Sequence, residues 1–165
     1  MKLQSLHDLY INELYDLYNA EKQILKALPK MIDSASHSEL RSGLSEHMEQ
    51  TREHVRRLER IFQMHNVEIK DEKCEGIQGI LEEGKDIIKH DENKNVLDAA
   101  IIAAAQKVEH YEMASYGSVR TWARQMGHQQ AADLLQQTLN EEGEADKKLT
   151  TVAESLNVEA VRRAG

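Results

Sequence analysis

Glu21, Gln50, Glu112 and Glu142 interrupt apolar helical stripes where a core side chain is expected. Glu21 falls between Leu17 and Ile24, and Glu112 between Val108 and Tyr116. Residues 21 and 50 are equidistant from a turn near 35–36, and residues 112 and 142 from Gly127. Two helical hairpins would therefore bring all four to one depth. Polar groups on a buried face are costly unless paired or metal-bound, carboxylates far more than an amide. A layer of such groups at one level of a four-helix bundle is how a carboxylate-bridged pair of metal ions is held.

Neighbouring residues extend the constellation. Glu109 is three residues from Glu112, and Asp146 four from Glu142, so each pair shares a helix face and up to five carboxylates converge. Hard oxygen ligands suit iron or manganese better than zinc. Open positions on two such ions would admit dioxygen or peroxide. His47 and His54 flank Gln50 at helical spacing, and either could supply an imidazole. The Glu-x-x-His spacing of many di-iron bundles is missing, since Glu49 is followed by Arg52 and Glu142 by Ala145. The competing reading is an interior salt-bridge network with Lys22, Lys107 or Arg52. Tyr18 and Tyr111 are placed to hydrogen-bond behind the acids, and His110 points to the alanine face as an interhelix hydrogen-bonding group. The run Arg52, Glu53, Arg56, Arg57, Glu59, Arg60 reads as a solvated helix face, and Cys74 sits among charged residues.

The elements that would position these residues are helices. One Pro, eight Gly and no alternating β-branched runs leave little room for strands, and 165 residues fit one domain with a substantial core. The first helix is expected over 5–33, starting at Ser5 with Asp8 three positions on; Pro29 bends its last turns. A second, over 37–66, follows the capping-box spacing of Ser36 and Glu39. Two more are expected over 95–126, stopped by Gly127, and 129–156, with 157–165 a frayed tail. Residues 67–93 read as a long crossover carrying a short helix around 73–89. Two antiparallel hairpins joined by a crossover make an all-α four-helix bundle.

A net charge of −8 disfavours nucleic acid and anionic membrane surfaces as partners. No stretch approaches the ~20 apolar residues of a membrane span. The single Cys74 cannot form an internal disulfide and fits a reducing cytoplasm. Tyr10, Tyr15 and Leu25 widen the apolar arc of the first helix and suggest a homodimer contact.

LYNAEKQILKALPKM, EHMEQTREHVRRLE, AAIIAAAQKVEHYEMASYG and TLNEEGEADKKLT resemble the YciE/YciF-type branch of the ferritin-like superfamily, bacterial proteins linked to stress responses. The resemblance covers roughly residues 3–154. It implies a ferritin-like four-helix bundle with a short extra helix, usually dimeric, and a candidate metal site in its core. Family members commonly carry Glu where this chain has Gln50. Three functions follow as expectations: a two-metal oxidase or peroxide-consuming protein, a metal-binding module without catalysis, and a metal-free structural or partner-binding stress protein.

Overall fold

The computed structural model describes residues 3–90 and 92–162, with side chains through Val161. Five helices follow in order: α1 (Leu6–Ser34), α2 (Ser38–Met64), α3 (Glu75–Ile87), α4 (Lys94–Gln125) and α5 (Gln129–Arg162). No strand occurs among the described residues. The short turns after α1 and α4 make α1/α2 and α4/α5 the antiparallel hairpins. They pack so that α1 meets α4 and α2 meets α5, while α3 lies against α1 and α4. This is the expected bundle, with the crossover helix as an outer brace.

The helix ends show what local sequence decides and what it does not. Ser5 Oγ accepts from the Asp8 amide at 3.1 Å, as its cap spacing predicts. Pro29 lies inside α1, which runs on to Ser34. Gly127 takes a positive φ of 78° and ends the second hairpin's first arm. The expected Ser36–Glu39 box does not form. His37 is the N-cap of α2 and makes no side-chain cap bond. The capping oxygens come instead from Asp98 on α4, which accepts from the Ser36 amide at 2.8 Å, the His37 amide at 2.9 Å and Ser36 Oγ at 2.5 Å. Nothing local to 36–39 announces a partner 61 residues away. The tail reading is also corrected: α5 stays helical through Arg162, and Leu156 near its end is buried. Residues 163–165 lie outside the described residues.

Leu, Ile, Ala and aromatic side chains form two apolar clusters. One joins the start of α1, the end of α2, the end of α4 and the start of α5 around Tyr10, Leu14, Phe62, Val119 and Leu135. The other joins the opposite helix halves and α3 around Ile24, Leu44, Ile77, Ile101 and Leu149. Tyr10 and Tyr15 belong to the first cluster. Tyr15 stacks on Phe62 with ring centroids 5.2 Å apart, and Tyr10 OH is 3.1 Å from His65 Nε2. The arc expected to meet a second copy is thus covered from within the chain, and only Leu25 of the three is half-exposed.

α3 is fastened by a polar knot. Buried Cys74 caps the helix by accepting from the Ile77 amide. Its Sγ lies 3.0 Å from both Asp16 Oδ2 and Tyr111 OH, and Tyr111 donates to Asp16 at 2.8 Å. Gly76 meets this knot so closely that a Cβ there would sit 2.9 Å from the Tyr111 ring. Cys74 is therefore enclosed rather than set among charges, and burial raises its thiol pKa, the opposite of an activated thiolate.

Asp98 is buried with three donors aimed at it, so Asp98→Ala strands the Ser36 and His37 amides. The expected loss is about 2–3 kcal/mol, or a melting temperature lower by roughly 4–12 °C. A drop under one degree in a calorimetric scan would show that the cross-helix cap is not needed.

Candidate metal centre

Between the two apolar clusters lies a layer of buried polar residues: Glu21 from α1, His47 and His54 from α2, Glu109 and Glu112 from α4, and Glu142 from α5. Each helix carries them at three-, four- or seven-residue spacing along its inward stripe, so the same periodicity that builds the core delivers them to it. They form two groups. His47, Glu109, Glu112 and Glu142 can bring one ligand atom each within 4.8 Å of one another, and so can Glu21, His54 and Glu142. Ligands about 2.1 Å from one ion lie at most ~4.2 Å apart, so small side-chain turns would close either group on a cation. Glu142 belongs to both, the position a bridging carboxylate needs.

These atoms have little else to satisfy them. Both oxygens of Glu112 and of Glu142, Glu21 Oε2, Glu109 Oε2, both nitrogens of His47 and His54 Nδ1 are buried without a well-formed hydrogen bond. The closest approaches are His54 Nδ1 to Glu142 Oε1 at 2.9 Å and to Glu21 Oε1 at 3.4 Å, and His47 Nε2 to Glu109 Oε1 at 3.4 Å. Native cores leave few such atoms unpaired, and a cation is one of the standing explanations. Four carboxylates also match the charge of two divalent ions when the imidazoles are neutral.

The outer contacts fix how two of these groups point. His54 Nε2 lies 2.8 Å from Glu141 Oε2, which leaves Nδ1 facing Glu142 and Glu21. Glu141 is in turn held by Arg57 through two bonds of 2.7 and 2.9 Å. A carboxylate behind an imidazole in this way sets its orientation and raises its basicity. Tyr116 OH donates a very short hydrogen bond to Glu21 Oε1.

The electrostatics follow from burial and crowding. Burial first, then the charge of Glu142, raises Glu109 and Glu112 well above the ordinary carboxyl range. Burial opposes ionisation of Glu142 too, yet hydrogen bonding to His54 and Glu109 holds it below its usual value. Burial disfavours a His54 cation, but Glu21, Glu141 and Glu142 outweigh it and push the ring to about 12. His47 is lowered, chiefly by burial. Glu141, despite burial, is held at about 2 by His54 and Arg57. Without a cation, burial and crowding thus favour the protonated forms of Glu109 and Glu112, and the surrounding acids that of His54.

Of the eight residues expected at the centre, six meet there. Asp146 does not. It is half-exposed on the flank of α5, accepting from Gln106 Nε2 at 3.0 Å and lying 3.3 Å from His110. The four-residue step from Glu142 rotates it past the inward stripe, so four rather than five carboxylates converge. Gln50 is half-buried in neither group, although it lines a cleft with His47 and Glu109. His110 is exposed beside Asp146 rather than packed on the alanine face.

The outer tyrosines are likewise reassigned. Tyr18 donates to Glu59 and Tyr111 to Asp16, while Tyr116, one turn beyond Glu112, is the one that reaches the layer. Its place on the Val108–Glu112 stripe was the available signal. Arg57 leaves the solvated face expected for its neighbours to hold Glu141, and no sequence spacing links α2 to α5 to reveal it. Lys22, Lys107 and Arg52 pair with Asp71, Glu83 and Glu49 at the surface, so none neutralises the buried acids.

An all-α bundle with an acid-and-histidine layer across its middle is the architecture of the ferritin-like class. The chain belongs to the family described as a domain of unknown function, DUF892, whose pattern matches residues 5–162. Protein YciF of Escherichia coli (strain K12) is 41% identical over 166 residues, covering 99% of this chain and 100% of that protein. The crystal structure of the E. coli stress protein YciF superposes with a TM-score of 0.90 at 41% identity, over 93% of this chain and 98% of that one. A chain described as YcfI, a putative structural protein from Rhodopseudomonas palustris, gives 0.88 at 41% identity over 91% and 96%. A protein from Xanthomonas campestris pv. campestris shares the fold, with a TM-score of 0.77 at 20% identity over 97% and 99%.

Because Glu112 has a raised folded pKa, its unfolded counterpart ionises first as pH rises. Above the ordinary carboxyl value of 4.5 the unfolded state therefore holds fewer protons than the folded one, and stability falls with pH until the folded group also ionises. Glu112→Gln removes that loss. Metal-free Glu112→Gln should melt several degrees above metal-free wild type at pH 7, the gain shrinking towards pH 4. Equal melting temperatures at pH 7 would show that Glu112 is not destabilising.

Proposed function

We propose that the polar layer holds two divalent iron or manganese ions and that the protein oxidises Fe(II) or consumes peroxide, in keeping with the stress protein it resembles. The observation that carries this reading is the set of buried carboxylate and imidazole atoms without partners, arranged as two groups that share Glu142. Two ferrous ions would supply the two electrons that reduce a peroxide to the level of water. Glu21 and His54 would hold one ion and His47, Glu109 and Glu112 the other, with Glu142 between them. Tyr116, Glu141 and Arg57 keep Glu21 and His54 in place, and apolar clusters pack above and below the layer. No helix of the described residues is long and apolar enough to cross a membrane. The free, buried Cys74 suits action in the reducing cytoplasm.

A metal-free stress protein is the second reading, favoured by one observation. His54, with Glu21, Glu141 and Glu142 around it, already satisfies part of the charge internally. Metal content after chelator-free purification separates the two.

The shared carboxylate makes the variants unequal. Wild type should bind two Fe(II) per chain under anaerobic titration, Glu21→Ala about one, and Glu142→Ala none at micromolar concentrations. Oxygen or peroxide should be consumed on adding Fe(II) to wild type and at least tenfold more slowly with Glu142→Ala. Unchanged stoichiometry in Glu142→Ala would sink the two-metal reading.

A further inference from the structure

The seam between α2 and α5 does not close. No residue of α3 covers it, and a cleft of about 360 Å³ runs in from the surface. Leu40 and Leu44 of α2 and Leu149 and Val152 of α5 wall it, and His47 and Glu109 lie at its inner end. Those last two are only 6% and 2% exposed, and both His47 nitrogens and Glu109 Oε2 lack hydrogen-bond partners. Of the rim charges, Lys148 and Glu46 are paired at 2.8 Å, and Glu39 stands exposed.

We propose that this cleft admits an organic hydroperoxide, its apolar body along the leucine and valine walls and its hydroperoxide group at His47 and Glu109. The assignment rests on the two-metal reading above and names its substrate class. Dioxygen or hydrogen peroxide needs a passage little wider than water, whereas this volume falls in the range of small organic ligands. An anionic head group would lose its hydration and meet only the Glu39 carboxylate as a free charge at the rim. A hydroperoxide is neutral, and with one His47 nitrogen given to an ion the other, an N–H, is left to donate to its oxygen. In the reaction the O–O bond breaks, one oxygen leaves in the alcohol ROH and the other in water. Two protons are taken up, and the two electrons would be supplied by two ferrous ions held by the layer, each oxidised by one electron.

Gly43 provides the test. It lines the cleft, and a Cβ there would meet nothing within 4 Å, so Gly43→Phe can project into the space while improving the helix. Gly79→Phe on α3 is the matched control, equally unobstructed and away from the cleft. Cumyl alcohol, the product of cumene hydroperoxide, should bind the metal-free protein by calorimetry and shift methyl resonances of Leu40, Leu44, Leu149 and Val152. Gly43→Phe should weaken that binding at least tenfold and Gly79→Phe should not. In the ferrous protein Gly43→Phe should lower the rate with cumene hydroperoxide at least tenfold relative to the rate with hydrogen peroxide. Absence of alcohol binding to wild type, or equal slowing with both peroxides, would overturn the assignment. Absence of iron uptake would instead overturn the two-metal reading, and is measured separately from alcohol binding.

Discussion

Everything in this bundle depends on keeping four carboxyl groups and two imidazoles in the middle of a core that is otherwise apolar. Stripping water from a carboxylate costs several kcal/mol even in a relaxed protein interior. The chain meets that cost only in part. Tyr116 serves Glu21, and Glu141 serves His54, but Glu112 has no donor at all. The layer splits the apolar interior into two clusters, each of which must then hold its own half of the helices in register. The lower and upper clusters are what make the layer rigid enough to remain unsatisfied.

That rigidity comes from ties that lie outside the layer. Asp98 fixes the start of α2 to α4, so the first hairpin cannot slide along the second. The Asp16–Cys74–Tyr111 knot fastens the crossover at the same time to α1 and α4, the two helices that carry Glu21 and the Glu109/Glu112 pair. Arg57 and Glu141 join α2 to α5 one turn from His54. Three of the helix pairings around the layer, α2 with α4, α1 with α4 and α2 with α5, thus have a polar clamp at the periphery. A slip of one turn, about 5.4 Å, would separate the groups beyond the reach of any single ion.

The periodic part of this design was legible in the sequence. Stripes of spacing three and four located the four long helices, and the hairpin symmetry located Glu21, Glu112 and Glu142 at one level. Reading failed where a side chain's direction depends on a partner distant in sequence. Asp146 lies four residues from Glu142, near enough to share a face by rule, but the roughly 40° overshoot of a four-residue step was sufficient to hand it to Gln106 and His110. Tyr10 and Tyr15 looked surplus because the chain 67–73 that covers one side of α1 has no periodicity of its own; Tyr15 donates to the Glu68 carbonyl. Arg57 and Asp98 were invisible because charged residues on helices are ordinarily solvated, and only the tertiary fold supplies Glu141 and the bare amides of Ser36 and His37.

The two ligand groups are not equivalent, and the asymmetry originates in α2. Glu21, His54 and Glu142 are wholly enclosed, each at 0% exposure. His47 and Glu109 border the open α2–α5 seam, where Gln50 occupies the position between the two histidines. A carboxylate at 50 would add a fifth negative charge beside Glu109, whose pKa burial and Glu142 already raise. The neutral amide spares the layer that repulsion. The group at the seam, His47, Glu109, Glu112 and Glu142, thus has four residues and one edge towards solvent, while the enclosed group has three and is anchored through Tyr116 and Glu141. The inside and the outside of the layer are thus set by the seam between α2 and α5, with Gln50 keeping its outer edge uncharged.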